Sequence, residues 1–80
     1  MSHYIATFAS HYDALVFKKR LDALGLSAAL RPVPRQLSSS CGTCVRFEAD
    51  ACPPPPYPAE TERIVREEAG DFIPEYIAKD

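Results

Sequence analysis

The predicted fold of this chain depends on one stretch, Ala59-Glu60-Thr61-Glu62-Arg63-Ile64-Val65-Arg66-Glu67-Glu68-Ala69-Gly70. Ile64 and Val65 are its apolar anchors, and most of the other residues are charged. Gly70 is the last residue of this stretch and lies at the position where glycine commonly ends a helix. We therefore predict a second helix over Ala59–Ala69 that lies shallowly on a sheet.

The rest of the sequence predicts one longer helix and four strands. The strands are Tyr4–Ala9, Leu26–Arg31, Thr43–Ala49 and Phe72–Ile77, and the helix is His11–Leu24. Ser10 and Asp13 form a capping signature at the start of this helix, and Gly25 suits its end. In the third strand we expect Val45 and Phe47 to point to one face and Cys44 to the other.

The order β-α-β-β-α-β predicts an α+β fold, a ferredoxin-like sandwich with two helices on one face of a four-stranded antiparallel sheet. Pro32, Pro34 and Pro74 lie in or beside the second and last strands. Because proline cannot donate to a ladder, these strands are expected at the edges and the first and third strands in the middle. The alternative is a carrier-type sandwich with an additional short helix after Pro34. A thioredoxin-like domain is disfavoured, since its CxxC pair would open a helix.

Length and composition predict a single domain over residues 1–80, with a stiff proline-rich crossover at residues 52–58. A formal net charge of −2 argues against a general nucleic-acid binder. The sequence has no apolar run of about 18 residues that would cross a membrane, and its N-terminus lacks the features of a secretory signal. Three cysteines, an odd number, indicate reduced thiols in the cytoplasm.

The chemical signal is Cys41-Gly42-Thr43-Cys44, which follows a serine-rich loop over Arg35–Ser40. Two thiols at this spacing could carry sulfur or selenium, cycle as a disulfide or hold zinc. We expect Arg35, Arg46 and the loop amides to stabilise a thiolate. In the zinc interpretation Cys52 is a third ligand beside Cys41 and Cys44. The fourth would be His3, His11, a carboxylate or a cysteine from another chain.

Five short segments follow one another along the chain: Tyr4-Ile5-Ala6-Thr7-Phe8, Asp13-Ala14-Leu15, Gly25-Leu26, Arg31-Pro32-Val33-Pro34-Arg35 and Ser40-Cys41-Gly42-Thr43-Cys44-Val45-Arg46-Phe47. The chain thereby resembles a family of small bacterial proteins described as selenium/sulfur carrier-like, over about residues 4–48. The resemblance implies that Cys41, with Gly42, is the carrier thiol and that Cys44 is its resolving partner. It also implies that Pro34 and Arg35 position the loop.

We therefore expect a sulfur or selenium carrier that is not itself an enzyme and needs no cofactor. Its partners would be the proteins that donate and accept the chalcogen, with no role for nucleic acid or membrane. A zinc-binding or metal-delivery module, with zinc on the same cysteines, and a dithiol redox sensor are the alternatives. A homodimer is left open, through a helix-free face on which Tyr4, Phe8 or Tyr76 would lie.

Overall fold

The computed structural model describes residues 1–39 and 41–78, so Ser40 of the predicted loop lies outside the described residues. These residues form one helix and five strands. The elements are β1 Ser2–Phe8, α1 His11–Ala23, β2 Ala28–Pro32, β3 Thr43–Ala49, β4 Thr61–Glu68 and β5 Asp71–Ile77. The predicted first helix and third strand are confirmed nearly to the residue.

The five strands form one antiparallel sheet in the order β2-β3-β1-β4-β5. The predicted positions of β1 and β3 inside the sheet and of β2 at its edge are confirmed. Pro32 ends β2, and Pro74 lies in the other edge strand, β5, beside a register shift. Both prolines thus occupy positions where a missing amide donor is tolerated.

The second helix predicted over Ala59–Ala69 is wrong, because Thr61–Glu68 forms strand β4 between β1 and β5. The buried residues Thr61, Ile64 and Val65 are spaced as in a helix, yet all three are β-branched and favour a strand. Pairing with β4 also satisfies the amides and carbonyls on the second side of β1, which is buried from Tyr4 to Phe8.

Gly70 belongs to a hairpin turn and not to a helix end. Ala69 and Gly70 both have positive φ, at 52° and 84°, and they connect Glu68 of β4 to Asp71 of β5, which are paired. Positive φ at both central residues is typical of the two-residue turns that match the twist of paired strands. The predicted ferredoxin-like sandwich, with two helices and four strands, is therefore wrong. The described residues form one helix and a five-stranded antiparallel sheet.

The core lies on both sides of the sheet. On the helix side, aromatic rings of the strands meet Phe17 of α1, with Phe8 and Phe47 at centroid distances of 5.4 and 5.7 Å. On the other side Ile5, Leu37, Cys44 and Val65 form a smaller buried cluster. The assignment of Tyr4, Phe8 and Tyr76 to the helix-free face is wrong, since all three belong to or pack against the helix-side cluster.

The proline-rich crossover covers part of the sheet on the helix side. The Tyr57 ring lies 6.4 Å from that of Phe17 and 4.7 Å from that of Tyr76 in β5. Arg20 of α1 donates to the carbonyl of Pro56 at 2.7 Å. The crossover thus packs beside α1, on the side of the sheet where a second helix was expected.

The start of α1 differs from the predicted cap. Ser10 is the N-cap residue, but its side chain makes no capping hydrogen bond among the described residues. The Asp13 carboxylate instead accepts from the backbone amide of Glu60 at 2.8 Å and connects the helix to the chain before β4. In the described part of the chain, no helix has the length and apolar character needed to cross a bilayer.

Candidate functional site

Cys41 lies in the connection between β2 and β3, just before β3 begins at Thr43. The amide of Val33 donates to the carbonyl of Gly42 at 3.2 Å, which extends the strand pairing by one step and closes the loop. Gly42 has φ +72°, a conformation in which side chains are strained. The glycine thus allows the chain to turn into the strand directly after the thiol.

The Cys41 sulfur is half-buried at the end of β1. Its Sγ lies 3.1 Å from the carbonyl oxygen of Phe8 and 3.5 Å from that of Thr43. The hydroxyl of Ser39 is 3.7 Å from the sulfur and donates to the same Phe8 carbonyl at 2.6 Å. Carbonyl oxygens accept hydrogen bonds, so the Cys41 S–H group is the donor in both contacts.

Cys44 faces the opposite side of the sheet and is wholly buried. It belongs to the cluster of Ile5, Leu37 and Val65, and its thiol points to the carbonyl of Pro32 at 3.6 Å. Burial raises the pKa of the Cys44 thiol, and although Arg46 opposes this rise, the pKa stays above its usual value. Cys44 is therefore held as a neutral core thiol.

The two cysteines are thus separated by the sheet. Cys41 packs against the helix-side cluster, whereas Cys44 is part of the cluster on the other face. Both are free thiols. A disulfide between them would require one sulfur to move around the start of β3.

The loop residues before Cys41 are held by apolar contacts on the helix-free face, where Val33 packs against the cluster that contains Leu37. Pro34 accepts a hydrogen bond from the amide of Leu37 at 3.0 Å, and the turn that results leaves Arg35 exposed. Leu37 is buried with Ile5 and Cys44. Pro34 therefore begins the turn that brings Leu37 onto the helix-free face.

A family model described as "Putative Se/S carrier protein-like" matches residues 3–53, more than half of the chain. The chain belongs to this family. The match confirms the family indicated by the sequence and includes β1, α1, β2, the cysteine loop and β3, but not the β4–β5 hairpin. No curated protein and no solved structure matches the chain.

Within this member of the Se/S carrier-like family, the expected thiolate-supporting arginines do not form a group around Cys41. Arg46 follows Cys44 on the helix-free face and forms an ion pair with Glu67 of β4 at 2.6 Å. Arg35 is in the exposed turn. The groups described near the Cys41 sulfur are instead the Ser39 hydroxyl and two backbone carbonyls.

Cys52, the third cysteine of the matched span, has different neighbours. Its sulfur lies 3.8 Å from the Tyr57 hydroxyl, which donates to the carbonyl of Pro53 at 2.7 Å. Burial raises the pKa of Cys52, and burial together with the Cys52 thiol raises that of Tyr57 to about 12. Across residues 1–39 and 41–78, no three His, Cys, Asp or Glu side chains are grouped closely enough to hold a metal ion.

Two features of the site were not predicted from the sequence. The sequence shows a serine-rich loop, but the contact of Ser39 with the Phe8 carbonyl depends on how this loop folds against β1. Arg63 was placed on a helix, whereas in β4 it pairs with Thr7 and lines a cleft with Ser38 and Ser39. The β-branched residues of β4 and the Ala69-Gly70 turn were the signals that could have located Arg63.

Proposed function

We propose that this member of the Se/S carrier-like family carries sulfur or selenium on Cys41 and acts in the cytoplasm without being an enzyme itself. Membership of a family described as Se/S carrier-like supports sulfur or selenium as the cargo. The observation on which the choice of residue depends is the contrast in burial, since Cys41 is partly accessible and Cys44 is wholly buried. A protein donor must reach the sulfur that it loads.

The loading step is an exchange at sulfur. The Cys41 thiol first loses its proton to solvent. The thiolate then attacks the terminal sulfur of a donor persulfide, R–S–S⁻, and the donor thiolate R–S⁻ leaves as the new S–S bond forms. Attack on a terminal selenium, R–S–Se⁻, follows the same course. No net oxidation occurs, because the transferred atom keeps its oxidation state and only its thiolate partner changes.

Unloading has two routes, which differ in the demand on Cys44. An acceptor thiolate can take the terminal atom from Cys41 and release the Cys41 thiolate, which needs no reductant. In the resolving route, Cys44 attacks the Cys41 sulfur, expels hydrosulfide and leaves a disulfide that a further dithiol must reduce. We favour direct transfer to the acceptor, because resolution would first require the Cys44 sulfur to leave its buried cluster.

Mass spectrometry after incubation with a persulfide donor tests the proposal. We expect a gain of about 32 Da, the mass of one sulfur atom, on the peptide that contains Cys41, and its loss on reduction. Cys52→Ser is the matched control, since it removes another partly buried cysteine and should load normally. Absence of the adduct from Cys41, or equal loading of Cys41→Ser, would contradict the proposal.

A further inference from the structure

The backbone carbonyl of Phe8 is shared by two side chains of the cysteine loop. The pairing of β1 with β3 ends at Thr7 and Cys44, so this carbonyl lies one residue beyond the last pair of that ladder. The Ser39 hydroxyl donates to it at 2.6 Å and the Cys41 thiol at 3.1 Å. A carbonyl oxygen has two lone pairs and can accept both hydrogen bonds. Ser39 and Cys41 are therefore neighbouring donors that are directed at one acceptor.

Loss of the Cys41 proton changes what the sulfur needs from its neighbours. The carbonyl oxygens of Phe8 and Thr43 lie 3.1 and 3.5 Å from the sulfur, and both can accept a hydrogen bond but cannot donate one. A thiolate requires donors, and a hydrogen bond to an ionised group contributes more than one between neutral groups. The ionised sulfur is therefore stabilised only if a nearby donor turns towards it.

Ser39 is the donor within reach of this sulfur. Its hydroxyl oxygen lies 3.7 Å from the Cys41 sulfur, and a hydroxyl hydrogen rotates to suit its acceptor. The arginines that were expected to support the thiolate are elsewhere, since Arg46 pairs with Glu67 on the opposite face of the sheet and Arg35 is in the exposed turn. Of the three groups described at the sulfur, the Ser39 hydroxyl is the one that can donate.

We propose that the Ser39 hydroxyl turns from the Phe8 carbonyl to the Cys41 sulfur when the thiol ionises, and that it thereby stabilises the thiolate. The inference rests on the proposed carrier function, because both steps of that function pass through this thiolate. It is the attacking group when Cys41 is loaded and the leaving group when an acceptor takes the cargo. Ser39 is a positioning residue, since the bond to the cargo is made by Cys41.

The size of the effect follows from this exchange of hydrogen bonds. A hydroxyl that turns to an ionised sulfur replaces a neutral hydrogen bond by a charge-assisted one, which is roughly twice as strong. The net gain is about one ordinary hydrogen bond, or roughly a fivefold change in the fraction of thiol that is ionised at neutral pH. A less stabilised thiolate is also more nucleophilic, by roughly twofold for a Brønsted slope of about 0.4–0.5. Ser39→Ala should therefore change the amount of thiolate and its reactivity in opposite directions.

The rate at which Cys41 exchanges with hydroxyethyl disulfide, measured against pH, tests the proposal. This reagent is uncharged, so its own ionisation does not enter the profile. Fragment mass spectra separate Cys41 from Cys44, and circular dichroism confirms the fold at each pH. Ser39→Ala should react roughly two- to threefold more slowly than the wild type at about pH 7 and roughly twofold faster on the alkaline plateau, so that the two profiles cross.

Ser38→Ala is the matched control, since Ser38 is the exposed serine next to Ser39 and its variant should follow the wild-type profile. If Ser39→Ala does not fold, Ser39→Thr and Ser39→Val replace it, because these two side chains have nearly the same shape and differ in the hydroxyl. The threonine variant should then keep the wild-type profile and the valine variant should show the crossing. An unchanged profile without the hydroxyl, or a change of the same sign at every pH, would overturn the proposal, because a residue that merely covers the thiol affects the rate at all pH values alike.

This experiment separates the role of Ser39 from the carrier function. If Cys41 takes no sulfur from a persulfide donor but the two profiles cross, the carrier function fails and the hydrogen bond from Ser39 to the thiolate stands. If Cys41 loads normally and Ser39→Ala follows the wild-type profile, the carrier function stands and the role of Ser39 fails.

Discussion

Replacing Leu37 by alanine should both destabilise the protein and loosen the cysteine loop. Leu37 is 8% exposed and belongs to the buried cluster of Ile5, Cys44 and Val65 on the helix-free face, against which Val33 of the loop also packs. Truncation of a buried leucine costs about 2–5 kcal/mol, and a loop can partly collapse into the space, so we expect about 2 kcal/mol. For a chain of this length, that corresponds to a fall in Tm of roughly 10 °C.

Urea unfolding and the alkylation rate of Cys41 test this expectation together. With the Leu37 side chain truncated, the loop keeps the Ser39 hydrogen bond to the Phe8 carbonyl but loses its fully buried apolar side chain, so alkylation of Cys41 should become faster. Leu24→Ala is the control, because Leu24 is 62% exposed and its truncation should change stability by less than about 0.5 kcal/mol. If Leu37→Ala unfolds at the same urea concentration as Leu24→Ala, the loop is not anchored as described.

Five further outcomes are expected. Cys44→Ala should lower stability by about 1 kcal/mol while Cys41 still loads and unloads sulfur, and a loaded Cys41 that cannot unload would indicate a resolving thiol instead. Stability should fall as the pH rises through about 9, because burial raises the pKa values of Cys44, Cys52 and Tyr57 in the folded protein and the unfolded chain therefore ionises first. Tyr57→Phe should make the fall above about pH 10 shallower, and an unchanged profile would count against this assignment. Gly42→Ala should cost about 1–2 kcal/mol in urea unfolding, since its φ of +72° is strained for any side chain. Protein purified without added metal should hold far less than one zinc per chain, and near-stoichiometric zinc lost on Cys41→Ser would support the metal alternative.

Local sequence signals were sufficient to predict those helices and strands whose own residues determine their structure. Alternation in Thr43–Ala49 gave both the strand and its faces, and apolar spacing with a following glycine gave α1 within one residue. The prolines predicted the edge strands, because a residue without an amide donor is tolerated at the edge of a sheet and not in a central strand. The motif around Cys41 indicated the family. In the structure this thiol lies at the end of the loop between β2 and β3, beside the last residue of β1.

The same reasoning failed for β4 because helix and strand compete over short, charged segments. A register shift between Thr7 and Phe8 allows buried residues of β4 to have helical spacing while the backbone stays extended. The Ala69-Gly70 pair between Glu68 and Asp71 was the contrary signal, since a two-residue link containing glycine is typical of a hairpin. Without β4, the place of Arg63 beside Ser38 and Ser39 of the loop could not be inferred.

The position of the cysteine pair on a strand has a direct chemical consequence. Successive strand residues point to opposite faces, so Thr43 and Val45 lie on the helix side and Cys44 does not. A CxxC pair at the start of a helix can present both sulfurs on one side, whereas here the strand divides them between two clusters. Two-thiol chemistry would therefore disturb packing around Ile5 and Val65, while transfer through Cys41 needs only the loop and the end of β1. The packing of the core thus favours Cys41 over Cys44 for the proposed transfer, because only Cys41 can react without disturbing a buried cluster.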